Sequence, residues 1–353
     1  VKIAFINDTH FGVRNDSPLF LEHILHFFEN SFIPHLVEHK IDTIIHLGDF
    51  FDRRKYVNFN TLSSVRKRFI KPLIDNNIKM YITLGNHDTY YKNTNDINSI
   101  QELLSQYDQF TVIDKPTQLK FDELSIDVVP WITNENLEST VNYIEQSDSV
   151  MLCGHLEIIG FQVMSGVKHL HGLTPKMFNK FEMVLSGHFH IKQSEANIYY
   201  LGSQYQMNFG DVSSKKGFHI LDTKTRDLEF IQNPNNIFHV FNYSDATEDD
   251  VKDIAKFISK TDFRSSFVRI FIREKTKQSI FDKLIDALWS KGIYDLSIVD
   301  EMNLITNNSV VDFSENEDTL TIISKEIDGI ERDFNKGKLK NIIKDVYMES
   351  LRV

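Results

Sequence analysis

Residues 181–190 read FEMVLSGHFH. The apolar run Phe181 to Leu185 has the length and composition of a buried strand, and Gly187 follows it. His188 and His190 then close the stretch, two positions apart. On extended backbone, side chains at i and i+2 share a face. The spacing therefore predicts that both imidazoles reach one site from the end of the strand, with Phe189 turned away. Taken alone, an H-x-H is more often a pair of ordinary loop histidines. The rest of the chain decides between the two readings, and it does so by recurrence.

Four other strand candidates end in the same way. Ile3 to Ile6 runs into Asn7-Asp8-Thr9-His10, a D-x-H with the same spacing, and Thr43 to Leu47 runs into Gly48-Asp49-Phe50-Phe51-Asp52. Met80 to Leu84 is followed by Gly85-Asn86-His87-Asp88, and Val150 to Cys153 by Gly154-His155. In four of the five clusters a glycine stands directly before the first polar residue. Its backbone freedom lets the chain turn sharply into a shared crevice.

Helical patterns at 19–39 and 59–76 separate the first three strands. This βαβ rhythm predicts an α/β layered core with ligands gathered at the carboxyl ends of strands. Past residue 110 the strands crowd together: Phe110 to Ile113, Gln118 to Phe121, Leu124 to Val129, Ile198 to Leu201, Gly217 to Asp222 and Asp227 to Ile231. That crowding predicts a mixed sheet or a two-sheet sandwich flanked by helices.

The clusters supply seven oxygen and nitrogen donors: Asp8, His10, Asp49, Asn86, His155, His188 and His190. Seven are too many for one tetrahedral ion but suit two adjacent divalent cations bridged by one carboxylate. Asp49 is the natural bridge, since an ionised carboxylate offers two oxygens. With no thiolate in the set, manganese, the first expectation, fits as well as iron or zinc, and magnesium is also compatible.

Bulk composition sets outer limits. At 353 residues two or three structural units are expected. Hydrophobic content of 41% and charged content of 25% are those of a globular protein. The single cysteine, Cys153, excludes an internal disulfide and fits a reducing compartment. No apolar run approaches the roughly 20 residues of a membrane span, and VKIAFIND reads as a strand rather than a secretory signal. The expected location is the cytoplasm. A net charge of −11 argues against binding nucleic acid through the overall field, although a carboxylate-rich cation site itself adds negative charge.

Asn233-Pro234-Asn235-Asn236 is a turn-rich break. It predicts a first domain over 1–235 and a small α/β cap over 236–302. The cap pattern is strand (Phe238 to Asn242), helix (Glu248 to Ser259), strand (Ser266 to Arg273), helix (Lys277 to Lys291) and strand (Asp295 to Val299). Within it Arg264, Arg269, Arg273 and Lys275, in and around the middle strand, are candidates for facing a polyanion, although acidic residues in the preceding helix count against that. Residues 303–318 are polar and read as a linker. Residues 319–353 carry two amphipathic patterns, a helical hairpin. Ile323, Ile327, Ile330 and Phe334 line one helix, and Leu339, Ile342, Ile343, Val346, Tyr347 and Leu351 the other. Two short amphipathic helices without a core of their own predict docking to another protein.

The order D-x-H, G-D, G-N-H-D, G-H, G-H-x-H resembles that of the calcineurin-like metallophosphoesterase superfamily. Within it, the chain is similar to the SbcD-type DNA nuclease subunits, above all to the form carried by T-even phages, as in VVPWITNEN (128–136) and GHLEIIGF (154–161). The resemblance implies a two-metal DNA exonuclease and single-strand endonuclease acting in end processing, recombination and repair. It implies a first ion held by Asp8, His10, Asp49 and His190, and a second by Asp49, Asn86, His155 and His188. It further implies an SbcC-type, SMC-like coiled-coil ATPase partner docked on the C-terminal helices, and the host cytoplasm if a phage encodes the chain. Relatives commonly dimerise through helices flanking the GNHD turn, here 59–76 and 96–107, with Leu62, Val65, Phe69, Leu103 and Leu104 as contact candidates.

His87, next to a ligand in sequence, is expected to act as general acid or transition-state stabiliser, with Asp88 orienting it. Asp52 stands where many cellular relatives have histidine and is expected to orient His87 or a ligand. Arg53, Arg54 and Lys55, and then Tyr90, Tyr91 and Lys92, are candidates for DNA contact. The remaining histidines (His23, His26, His35, His39, His46, His169, His171, His219 and His239) have no partners at ligand spacing and read as structural. Two competing readings are a phosphomonoesterase, including a protein phosphatase, and a non-catalytic scaffold. GDFFDRR in place of the phosphatase-like GDYVDRG counts against the first, and the intact donor set against the second.

Overall fold

The structure, a computed structural model, describes residues 1–164 and 166–300. The expected linker at 303–318 and helical hairpin at 319–353 lie outside the described residues. The chain divides into two compact units. One comprises Val1–His239 with Ser265–Phe267, and the other Val240–Arg264 with the described residues from Val268 onward.

The first unit contains two six-stranded sheets. Its strands are β1 (Lys2–Ile6), β2 (Thr43–His46), β3 (Lys79–Thr83), β4 (Phe110–Ile113), β5 (Thr117–Phe121), β6 (Leu124–Val129) and β7 (Met151–Gly154). Further along come β8 (Gln162–Met164), β9 (Val167–Lys168), β10 (Met183–Ser186), β11 (Gln193–Glu195), β12 (Ile198–Tyr200), β13 (Gly217–Asp222) and β14 (Leu228–Gln232). One sheet has the order β14-β13-β1-β2-β3-β4 and the other β11-β12-β10-β7-β6-β5, with β8 and β9 forming a separate hairpin. Strands β1 to β4 run parallel, as do β6, β7, β10 and β12. Short strands β8, β9 and β11 have no counterpart in the sequence expectation, because runs of two or three residues carry no periodic signal.

Period-two alternation decides how the layers stack. In β1, Ala4 and Ile6 join a core with Ile24, Leu25 and Phe28 of the first helical segment and Val65 and Phe69 of the second. Ile3 and Phe5 point the other way, into a core shared with Ile126, Val128, Met151, Cys153 and Leu185 of the second sheet. The outer face of that sheet, including Leu152 and Val184, packs against Ile144 of helix Leu137–Gln146 and against Phe178. The result is helix, sheet, sheet, helix. Each large apolar side chain fully buried there contributes about 1.5–3 kcal/mol.

The two long helical segments are interrupted by one wide turn each, at Phe28–Phe32 and Arg66–Ile70. Both wide turns precede a proline, Pro34 or Pro72, by one residue beyond their end. A proline ring collides with the carbonyl four residues back and lacks the N–H to bond it. An i→i+5 turn, such as Ile33 N–H to the Phe28 carbonyl, accommodates both problems.

The expected dimer contact is corrected here. Leu62, Val65, Phe69 and Leu104 are buried in the chain's own core, and Leu103 packs half-buried against it. The apolar stripe that suggested an interface is satisfied within the unit.

The second unit has the three-stranded sheet β15 (Phe238–Ser244), β16 (Phe267–Glu274) and β17 (Asp295–Asp300), with helices Glu248–Lys260 and Gln278–Ser290. Thr247 and Asp250 form a reciprocal cap at the start of the first helix. Tyr243, Ile258, Val268, Ile270, Leu284 and Leu288 fill its core. Among the cationic candidates, Arg264 is committed to Asp262 at 2.7 Å.

Candidate metal centre

The turns after β1, β2, β3, β7 and β10 meet at one crevice of about 400 Å³, between the carboxyl ends of parallel strands in both sheets. The side chains reach it by a different route from the one the i, i+2 spacing implies. Asp8, His10, Asp49 and His188 have φ of 47°, 41°, 56° and 84°, so these turns are left-handed rather than extended. Such backbone is uncommon outside glycine and clusters at functional sites. Loop-to-loop bonds hold it: Asp8 N–H donates to the Gly48 carbonyl (2.9 Å) and His10 N–H to that of Asp49 (3.0 Å). His46, read as structural, bridges the same loops through Thr9 Oγ1 and the Gly48 N–H.

Glycine is required where these turns touch. A Cβ on Gly85 would lie 2.1 Å from Asp49 Oδ1, and Gly48 (φ 89°) abuts the Gly85 backbone. Any side chain would push the two loops apart.

All seven expected donors converge. On one side, His10 Nε2 stands 3.2 Å from His190 Nε2 and 3.9 Å from Asp8 Oδ1. On the other, Asn86 Oδ1 is 3.0 Å from both His155 Nε2 and His188 Nδ1. Asp49 Oδ2 lies between the groups, 3.6 Å from His10 Nε2 and 3.3 Å from His155 Nε2. Among the described residues, Asp8, His10 and His190 form one potential ion-holding triad, and Asp49, His155 and His188 another. His10, Asp49 and His87 form a third.

The chemistry of this set fits divalent cations. Two buried carboxylates and four imidazoles face one another. Burial works against charge on Asp49, but His155, His87 and His10 hold its carboxyl well below the usual range. On Asp8, too, burial is outweighed, by His155, His190 and His10. Burial would lower His10, yet Asp52, Asp49 and Asp8 push it up to about 9, and Asp49 does the same for His155. Burial prevails at His190, which falls to about 4. Protons on His10 and His155 thus occupy lone pairs for which divalent cations compete.

The expected role of Asp88 comes out differently. Asp88 is fully buried and accepts from the backbone N–H groups of Asp49 (2.8 Å), Gly85 (2.8 Å) and Phe50 (3.0 Å). It ties the G-D and G-N-H-D turns together, and its carboxylate is spent on amides rather than on His87. Burial and the Asp49 charge push it up to about 7. His87 is fixed instead by the Asp52 carbonyl, which accepts from Nδ1 at 2.5 Å, while the Asp52 carboxylate faces His10 Nδ1 at 3.3 Å.

Some neighbours were not singled out from the sequence. Arg14, Met207 and Asn208 line the crevice, and the Arg14 guanidinium is held by the Met207 carbonyl (3.0 Å). Trp131 packs against His188, ring centroids 5.3 Å apart. Glu157 lies behind the same imidazole. The H-x-E spacing of His155 and Glu157, within GHLEIIGF, is the signal that could have found it. Of the candidate DNA contacts, Arg53 bonds Asn15 Oδ1 and covers Tyr56, Arg54 is half-buried, and Tyr90 and Tyr91 are exposed and pack edge to face.

A two-sheet α/β unit with paired carboxylates and imidazoles at its strand ends defines a metal-dependent phosphoester hydrolase. The chain belongs to the calcineurin-like phosphoesterase family, whose model matches residues 1–192. It is 32% identical to exonuclease subunit 1 of Enterobacteria phage T4 over 82% of this chain and 83% of that one. It is 27% identical to the DNA double-strand break repair protein Mre11 of Sulfurisphaera tokodaii, over 54% and 49% of the two chains. The identity to the SbcD component of the SbcCD nuclease of Staphylococcus epidermidis is 24%, over 65% and 67%. No helix among the described residues is long and apolar enough to cross a membrane.

Proposed function

We propose that this chain is a two-metal DNA nuclease, an exonuclease and single-strand endonuclease that serves as the nuclease subunit of an SbcCD-like complex. The observation that carries the reading is Asp49 Oδ2, set between His10, on the side of Asp8 and His190, and His155, on the side of Asn86 and His188. Asp8, His10, Asp49 and His190 would hold one ion, and Asp49, Asn86, His155 and His188 the other, with manganese the favoured metal. Such a pair, when bound, acidifies a water and draws charge from the phosphate oxygens.

The chain's own groups do the rest. The Asp52 carbonyl can only accept, so His87 Nδ1 carries a hydrogen and Nε2 is left for the crevice. To deliver a proton from Nε2 to the departing ester oxygen the ring must carry hydrogens on both nitrogens. Burial works against that cation and lowers the His87 pKa, while the Asp49 and Asp52 carboxylates favour it. Asp52 orients His10, and Asp88 holds the two turns together. Arg14 at the mouth is suited to a neighbouring phosphate of the strand. The names of the curated relatives support DNA as substrate. An acidic chain acting on DNA fits a division of labour in which an SMC-like ATPase supplies much of the grip. The amphipathic residues 319–353 would dock that ATPase, after a linker at 303–318 and a cap at 236–302. Self-association would use the outward faces of the helices within 59–76 and 96–107, where Phe59 is 87% exposed. The phage relative supports a host-cytoplasm location.

The manganese-loaded protein should degrade linear duplex DNA and nick single-stranded circles, and should cleave bis-p-nitrophenyl phosphate faster than the monoester. Activity confined to the monoester would replace this reading with a phosphatase. Inactivity on every substrate, with both ions bound, would replace it with a scaffold.

A further inference from the structure

Glu157 comes two residues after His155 and reaches behind a different imidazole. Its Oε1 is 3.3 Å from His188 Nε2. The opposite ring nitrogen, His188 Nδ1, is 3.0 Å from Asn86 Oδ1 and 3.2 Å from His155 Nε2, inside the donor cluster. One nitrogen cannot both hold a hydrogen for a carboxylate and offer a lone pair to a cation. The geometry therefore divides the ring: Nε2–H faces Glu157, and the Nδ1 lone pair faces the cluster.

Other contacts seat His188 without making this choice. Its N–H donates to Asp8 Oδ2 (3.0 Å), and Trp131 packs on its ring. Neither contact distinguishes one tautomer from the other. The other imidazoles with a mapped outer nitrogen have their own partners. His155 Nδ1 meets the Leu47 carbonyl at 2.7 Å, and His10 Nδ1 faces the Asp52 carboxylate at 3.3 Å. Asp52 thus supports one half of the centre, and Glu157 is the only carboxylate behind the imidazoles of the other half among these contacts.

We propose that Glu157 is a positioning residue for the second ion: it fixes the Nε2–H tautomer of His188, aims Nδ1 at the cation, and by its charge strengthens that nitrogen as a donor. The proposal rests on the reading of Asp49, Asn86, His155 and His188 as the second-ion ligands. Removal of a carboxylate from this position behind a metal-bound histidine weakens metal affinity by about 10–100-fold. The Glu157 side chain is 40% exposed, so solvent screens its charge and its loss leaves no cavity. Two variants separate its two actions. Glu157→Gln keeps an oxygen that can accept from Nε2–H, whereas Glu157→Ala removes both the acceptor and the charge.

The test is a manganese titration of the full chain and both variants, followed by calorimetry and by the electron-spin signal of free manganese, with metal-free unfolding measured in parallel. The wild type should bind two ions per chain. In Glu157→Ala one ion should keep its affinity while the other weakens about 10–100-fold, and Glu157→Gln should fall between. The metal-free unfolding midpoint should stay put in both. Unchanged binding of both ions in Glu157→Ala overturns the proposal, as does equal weakening of both together with a lowered metal-free midpoint. A wild type that binds fewer than two ions overturns the ligand reading itself, and the proposal with it.

Discussion

The His87 ring stands edge-on to the His10 ring, with centroids 4.8 Å apart and planes at 88°. A residue adjacent in sequence to one ligand therefore lies against a ligand from a different strand, and it lines the crevice on that side. This contact places His87 beside the cluster while its Nδ1 is occupied by the Asp52 carbonyl.

Replacing His87 should thus separate metal binding from turnover. His87→Ala is expected to keep two manganese ions per chain and to lose about 10²–10⁴-fold in kcat on bis-p-nitrophenyl phosphate. Normal turnover with both ions bound would remove the proton-donor role.

Asp49 and Asn86 should differ in how many ions they affect. Asp49→Ala is expected to weaken both, because its Oδ2 stands between the two donor groups. Asn86→Ala should weaken one, since its Oδ1 meets only His155 and His188. Calorimetric stoichiometry with manganese distinguishes the two patterns. Loss of a single ion in Asp49→Ala would show that the carboxylate is no bridge.

Lys216 is buried and donates to Asp211 Oδ1 (2.6 Å), Ser203 Oγ (2.9 Å) and the His190 carbonyl (2.8 Å). Lys216→Met should leave Asp211 buried without its cation and destabilise the first unit by about 3–5 kcal/mol in urea unfolding. The double variant Lys216→Met/Asp211→Asn should lose less than the sum of the singles. Additive losses would mean that the pair is not energetically coupled.

Asp245 gives the second unit an acid-sensitive element. Its burial is outweighed by the N–H groups of Thr276 (2.6 Å) and Lys277 (2.9 Å) and by the Tyr243 hydroxyl, which hold its carboxyl down at about 2. A folded-state value below the unfolded one adds stability above about pH 4. That stability drains away as the pH falls through 2. The stability gap between wild type and Asp245→Asn should shrink steadily over this range when followed by circular dichroism. A constant gap would show that the carboxylate's charge is not what the amides hold.

The donor set was legible in the sequence because its chemistry is punctuated. Each strand ends in a polar cluster, and a glycine marks four of the five turns. The βαβ rhythm and the later crowding of strands left a mixed sheet or a two-sheet sandwich, and the structure has two six-stranded sheets. What misled was local extrapolation. The i, i+2 histidines do share a site, but through left-handed turns held by a neighbouring loop, which no local rule contains. Asp88 follows His87 in sequence and yet bonds amides of another turn. Leu62, Val65, Phe69 and Leu104 read equally well as interface or interior, because hydrophobic periodicity identifies a buried face without naming what buries it.

The sequence by itself determined which residue types stand at the strand ends, in what order, and so the class of cation and ester chemistry they can serve. Only the tertiary structure decided which nitrogen of each imidazole faces inward, that Glu157 and Arg14 stand beside the cluster, and that Asp52 turns its carbonyl to His87 and its carboxylate to His10. Residue identity sets what a group can donate or accept, but hydrogen bonds between segments far apart in the chain fix its direction. Those bonds exist only once the two sheets have packed.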